Sequence, residues 1–174
     1  MPLKLNTASS GSVTLTPADT ASNYTITVPA QTATMAINGP AFNAYQSATQ
    51  TFSGATATKI QFQSEEFDTN SNFDTSTYRF TPTVAGYYLL TMGFRLPTAS
   101  RTSEIQLLIY KNGSEAKTTF DQTATNTYMS GMTTLVYANG TTDYFEAFAW
   151  VGTGGTTVVN QTQTYFSGVL VRAA

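Results

Sequence analysis

The chain has 174 residues and a mass of 18.7 kDa, room for one well-packed domain with a small module beside it. It contains no His and no Cys, which excludes His-based acid–base catalysis, Ser-His-Asp and Cys-His triads, thiolate zinc sites and disulfides. Charged residues make up only 10%, with a net charge of −2 and a pI near 4.9, so no basic surface is available for nucleic acid or an anionic membrane. In place of charge stand 34 threonines and 13% aromatic residues, a mixture that favours strands. The opening Met1-Pro2-Leu3-Lys4-Leu5-Asn6 lacks the pattern of a signal peptide, and no apolar run is long enough to span a bilayer. Together with the absence of Cys, this suits assembly in a reducing cytoplasm. The N-x-S/T triplets at Asn23, Asn112, Asn139 and Asn160 are the chance product of a Thr-rich composition.

In chain order, residues 1–38 read as a small β module. Ser12-Val13-Thr14-Leu15-Thr16 and Tyr24-Thr25-Ile26-Thr27-Val28 alternate apolar and polar residues, and Pro17-Ala18-Asp19-Thr20 between them carries turn chemistry. Two strands bury too little surface to stand alone, so Leu3, Leu5, Val13, Leu15, Ile26 and Val28 must lie against something. Gly39-Pro40 marks the boundary to a second domain, residues 39–174. There, Lys59–Phe62, Glu65–Asp68, Tyr78–Phe80, Tyr87–Leu96 and Glu104–Tyr110 follow as strand segments. Asn112-Gly113 signals a tight hairpin, and Asn139-Gly140 separates Met129–Tyr137 from Asp143–Val151. Gly154-Gly155 precedes Thr156–Val159, and Tyr165–Val171 closes the chain. No segment carries a helical period. The pattern predicts an all-β antiparallel jelly-roll sandwich of about ten strands.

In three of these segments both strand faces are apolar. Tyr88, Leu90, Phe145, Phe166 and Leu170 fall on one face and are expected to fill the sandwich core. Tyr87, Leu89, Tyr144, Phe148, Trp150, Tyr165 and Val169 fall on the other. A sandwich sheet buries one face, so a second apolar face predicts a subunit interface, with support of a loop or of the N-terminal module as the alternative.

These segments resemble the C1q/TNF-like jelly-roll family in its C1q branch, from about Ala41 to Val171. The similarity rests on Phe67-Asp68 through Asn72-Phe73-Asp74, Tyr78-Arg79-Phe80 and Val84-Ala85-Gly86-Tyr87-Tyr88-Leu89-Leu90. It continues in Ile109-Tyr110-Lys111-Asn112-Gly113, in Leu135 through Asn139-Gly140 to Asp143-Tyr144-Phe145, and in Tyr165-Phe166-Ser167-Gly168-Val169-Leu170. The resemblance implies a homotrimer around a three-fold axis and a binding or structural role without catalysis or cofactor. The seven outward residues would then face that axis. There is no collagen-like Gly-X-Y repeat. Instead, Gly11 to Thr20 with Tyr24 to Ala30 resembles short β modules of bacteriophage tail and virion proteins.

Carboxylate chemistry finds little support. Glu65 and Glu66 are adjacent, so on a strand they point to opposite faces. Asp68, Asn70, Asn72 and Asp74 alternate through one loop, as calcium ligands can, but without the EF-hand glycine and terminal glutamate, and the structural-loop reading is preferred. A polysaccharide depolymerase would need a larger body. The expectation is a non-enzymatic bacteriophage virion protein: a trimeric capsid decoration or cement protein whose N-terminal module lies on the major capsid protein or another virion protein. The chain's brevity favours this over a tail-fibre or tail-tip head that binds a host surface glycan or protein, the principal alternative. A secreted C1q-like ligand is a weaker third reading.

Overall fold

A computed structural model describes residues 3–6, 12–15, 39–96, 104–121, 128–157, 159 and 162–174. The chain divides into two compact units, Met1–Ala33 and Thr34–Ala174. In the first, β1 (Leu3–Asn6) pairs antiparallel with β2 (Ser12–Leu15), setting Leu3 opposite Leu15 and Leu5 opposite Val13. The expected strand at Tyr24–Val28, with Ile26 and Val28, lies outside the described residues. Ser12–Leu15 thus has a partner upstream, in a Leu-Lys-Leu segment too short to stand out by alternation.

The second unit starts with β3 (Ala41–Tyr45), β4 (Thr51–Phe52), β5 (Thr58–Lys59), β6 (Ser64–Asp68), β7 (Phe73–Asp74) and β8 (Arg79–Phe80). The long strands follow: β9 (Gly86–Leu96), β10 (Ile105–Lys111), β11 (Ser114–Asp121), β12 (Tyr128–Ala138) and β13 (Phe145–Val151). The chain ends with β14 (Gly155–Thr156) and β15 (Tyr165–Ala173). One sheet runs β12-β9-β15-β3-β6; the other runs β11-β10-β13-β8-β7, with β5 also on β13. Strands β4 and β14 form a separate two-stranded pair. Every pairing is antiparallel, and the chain changes sheet between β9 and β10, β11 and β12, and β12 and β13. That is the jelly-roll sandwich anticipated from the strand pattern.

Alternation explains the core. Tyr88, Leu90, Met92 and Phe94 from β9 and Phe166 from β15 point inward, against Ile105, Leu107, Ile109, Phe145 and Phe80 of the other sheet. Phe42 of β3 ties the two layers. Its ring stacks on Phe80 at 4.3 Å and on Phe73 at 5.1 Å, with Phe166 edge-on at 5.1 Å. Burying such a ring is worth about 1.5–3 kcal/mol, with roughly 0.5–1.5 kcal/mol more for a well-oriented pair. The expected core residues Tyr88, Leu90, Phe145 and Phe166 are fully buried, and Leu170 packs on the core from its margin.

Two corners hold the long strands in place. Asn112 (φ 54°) and Gly113 (φ 79°) both occupy the left-handed region, which a two-residue type I′ turn requires, and Lys111 pairs with Ser114 across it. Asn139-Gly140 is a crossing between sheets. There the Asn139 side-chain oxygen accepts the backbone N–H groups of Thr141, Thr142 and Asp143.

Candidate functional site

The outward face of the β12-β9-β15-β3 sheet is built in cross-strand rows. Leu135, Leu89, Val169 and Ala41 stand in register across the four strands. The next row is Thr133, Thr91, Ser167 and Asn43, and the one beyond it Gly131, Gly93, Tyr165 and Tyr45. On the other side of the leucine row, Tyr137 lies opposite Tyr87, with ring centroids 5.6 Å apart. Tyr87, Leu89, Leu135, Tyr137, Val169 and Val171 are between 38% and 58% exposed, so the end of this face is a contiguous apolar surface in water. A shallow cleft of about 440 Å³ between Tyr87, Leu135, Val171 and Arg172 indents it. The middle row is polar: the Thr91 and Thr133 hydroxyls hydrogen-bond at 3.2 Å. Asn43 donates Nδ2 to Glu66 at 2.9 Å, whereas its buried Oδ1 has no partner.

The seven residues expected at one interface fall on two faces. Tyr87, Leu89, Tyr165 and Val169 share the surface just described, with the Tyr165 ring lying over Gly93. Tyr144, Phe148 and Trp150 flank and belong to β13, a strand of the other sheet, and point away on the far side of the sandwich. They are half-buried within their own layer. Phe148 stacks on Tyr110 at 4.1 Å, and the Arg79 guanidinium covers Tyr144 at 3.7 Å. Alternation identifies which strands have two apolar faces but not which sheet each strand joins. Conversely, Leu135 and Tyr137 belong to the apolar surface and were not singled out. Their signal is the odd-numbered alternation of Met129, Gly131, Thr133, Leu135 and Tyr137 against inward Met132 and Val136.

The Asp68–Asp74 loop is held by its own carboxylates. Asp68 accepts the Phe73 N–H at 2.7 Å and the Asn70 N–H at 3.2 Å. Asp74 accepts the Ser76 and Thr77 hydroxyls at 2.6 and 2.7 Å, which hold its carboxyl at a pKa of about 2. Buried Asn72 donates to the Asn70 carbonyl at 3.0 Å and braces Thr83. These oxygens are engaged in turn geometry. Of the residues assigned to attachment, Leu3, Leu5, Val13 and Leu15 sit in the β1–β2 pair, and Ile26 and Val28 lie outside the described residues.

A two-sheet jelly roll with one apolar outer face defines an association or binding domain. The chain belongs to the C1q domain family, which it matches over residues 41–171. No curated protein matches it in sequence. Among solved structures it is similar to the globular domain of zebrafish complement 1qA, with 16% identity and a TM-score of 0.58, covering 79% of this chain and 100% of that one. It is similar also to murine APRIL (8% identity, TM-score 0.60, 77% and 100% covered) and to Eiger TNF of S. frugiperda (10%, 0.61, 78% and 93%). At these identities the likeness is one of fold.

Proposed function

We propose that the chain works without catalysis, as a homotrimeric structural protein of a bacteriophage virion: a capsid decoration or cement protein attached through the residues before Gly39. The observation that carries the trimer is the apolar outer face of the β12-β9-β15-β3 sheet. Six large side chains half in water cost too much to leave uncovered on a monomer. Three copies closing around an axis cover such a surface once per protomer. Of the expected interface residues, this reading keeps Tyr87, Leu89, Tyr165 and Val169 and adds Leu135 and Tyr137. It leaves Tyr144, Phe148 and Trp150 on the outside, because one axis takes one face of a sandwich.

The virion assignment draws on the resemblance of residues 11–30 to phage virion modules, on the absence of Cys and on the low charge. Strand addition to a neighbouring sheet edge is the simplest attachment for a module of short strands, since it pairs backbone groups and needs only alternate side chains in pockets. Two measurements test the proposal. Light scattering at micromolar concentration should give three times 18.7 kDa; a mass of one chain overturns the trimer. Antibody labelling of purified phage particles should decorate the capsid. Label on the tail would favour the receptor-binding alternative, and unlabelled particles would overturn the virion role. A chain starting at Gly39 should trimerise yet fail to bind particles that lack the protein.

A further inference from the structure

On the far side of the sandwich from the apolar face, a cleft of about 330 Å³ is lined by Lys59, Gln61, Ser76, Thr77, Tyr78 and Arg79. Beside it lies an ion cluster built on Glu146, which is only 3% exposed. One carboxylate oxygen, Oε1, receives Lys59 Nζ at 2.7 Å, Arg79 Nη2 at 3.0 Å and Arg79 Nε at 3.2 Å. The guanidinium is clamped from a second direction by the Tyr144 ring at 3.7 Å. Two cations therefore meet one buried carboxylate. Asp74 stands opposite Arg79 in the β7–β8 pairing, where it is exposed and occupied by Ser76 and Thr77.

The donors left over have a definite shape. A guanidinium carries two forks, and the Nε–Nη2 fork of Arg79 is spent on Glu146. Nη1 makes no hydrogen bond among the described residues, so the end-on Nη1–Nη2 fork is vacant, on a guanidinium held by Glu146 and Tyr144 at the lining of the cleft. Lys59 gives one N–H to Glu146 and one to the Thr77 carbonyl at 3.3 Å, keeping a third. The hydroxyl protons of Ser76 and Thr77 go to Asp74, which leaves their oxygen lone pairs as acceptors, and the Gln61 amide offers both kinds of group. An in-plane fork fits a planar carboxylate, and the surrounding acceptors fit hydroxyls. The volume is at the small end for a ligand site, room for about one pyranose ring. We propose that this cleft binds a carboxylate-bearing sugar residue, of the uronic or sialic acid class, with its carboxylate on Arg79 and Lys59 and its hydroxyls on Ser76, Thr77 and Gln61.

The test is an NMR titration of the ¹⁵N-labelled full chain with sodium glucuronate, glucose and sodium sulfate, reading the Arg79 Nε–H and the Thr77 amide. Glucuronate should give saturable shifts at both groups, with glucose and sulfate each binding about tenfold more weakly. Arg79→Lys keeps the charge but removes the fork, and should weaken glucuronate about tenfold. A thermal melt checks that this variant folds. Gln61→Ala, which touches no ion pair, should weaken it severalfold and serves if Arg79→Lys does not fold. Three outcomes overturn the proposal: no saturable shift with glucuronate, glucose binding as well as glucuronate, or affinity unchanged in the variants. Sulfate binding as tightly as glucuronate would reveal a general oxyanion site and overturn the sugar assignment.

Discussion

At the scale of single residues, two side chains convert the family's sequence motifs into stability. Tyr88 is fully buried, and its hydroxyl donates to the Val84 carbonyl at 2.7 Å, closing the turn that leads into β9. Burial pushes its pKa up to about 12 from 10.0. The protonated form is thus favoured in the fold: stability is intact below pH 10 and declines as pH rises from 10 towards 12, by roughly 2–3 kcal/mol. Tyr88→Phe should cost about 1–2 kcal/mol at neutral pH through the orphaned carbonyl, and should lack this share of the alkaline loss. Urea midpoints of both proteins at pH 7 and 11 check it; parallel losses would show that Tyr88 does not govern the alkaline limb. Asp143 works in the opposite direction. Burial alone would raise its pKa, but hydrogen bonds from Lys111, Asn112 and the Asn139 N–H, with the Lys111 charge, hold it below the usual carboxylate range. Lys111 lies 2.8 Å from it and also donates to the Tyr137 carbonyl at 2.8 Å, and Asn112 donates to Asp143 at 2.8 Å. The Lys-Asn-Gly hairpin and the Asn-Gly crossing are therefore one locked corner. Its contribution is present above pH 3.8 and lost as pH falls through the depressed folded pKa. Asp143→Asn should cost about 1–3 kcal/mol at pH 7 and flatten the acid limb of a stability–pH curve.

At the scale of elements, strands β9, β10, β13 and β15 were legible because each is a largely apolar run of seven or more residues set off by Gly, Pro or Asn-Gly turn signals. The Asn112-Gly113 turn was legible because positive φ twice in succession restricts the residues that fit. Strand β3 was not singled out: Ala41-Phe42-Asn43-Ala44-Tyr45 buries Phe42 and Ala44, and two alanines carry almost no alternation signal although Phe42 is central to the core. The face assignment was half legible. Alternation separates inward from outward within a strand, but sheet membership arises from long-range pairing, and that put β13 opposite β9 and β15. Close approach was hidden too. A Cβ on Gly93 would sit 2.6 Å from Tyr165 Cε1, so the ring can lie across the strand only because residue 93 has no side chain. Gly93→Ala should push the Tyr165 ring aside, and because only the outer part of a partly exposed side chain has to give, the cost should be about 1 kcal/mol or less, measured by thermal or urea unfolding. An unchanged midpoint would mean the ring has room to move.

At the scale of the whole molecule, the two outer faces of the sandwich predict opposite outcomes for similar substitutions. Leu89 stands at the middle of the Leu135–Leu89–Val169 row, half in water, with apolar neighbours on both flanking strands. If three copies close over that row, Leu89→Glu places a carboxylate in a desolvated interface three times around one axis. Each buried, unpaired charge costs several kcal/mol, and the three repel one another. The substitution leaves the core untouched, because Leu89 points away from Tyr88 and Leu90. The variant should therefore run as a folded monomer at micromolar concentration, with its far-ultraviolet circular dichroism unchanged. Trp150→Glu is the matched control. Trp150 is half-buried on the other sheet, opposite Gln106 across the β10–β13 pairing, and so should lower the thermal midpoint without changing the mass. Light scattering of the two variants beside the parent separates the alternatives. Dissociation by Trp150→Glu with Leu89→Glu still trimeric would place the axis on the β11-β10-β13 sheet, and the apolar row would then need a different partner to cover it.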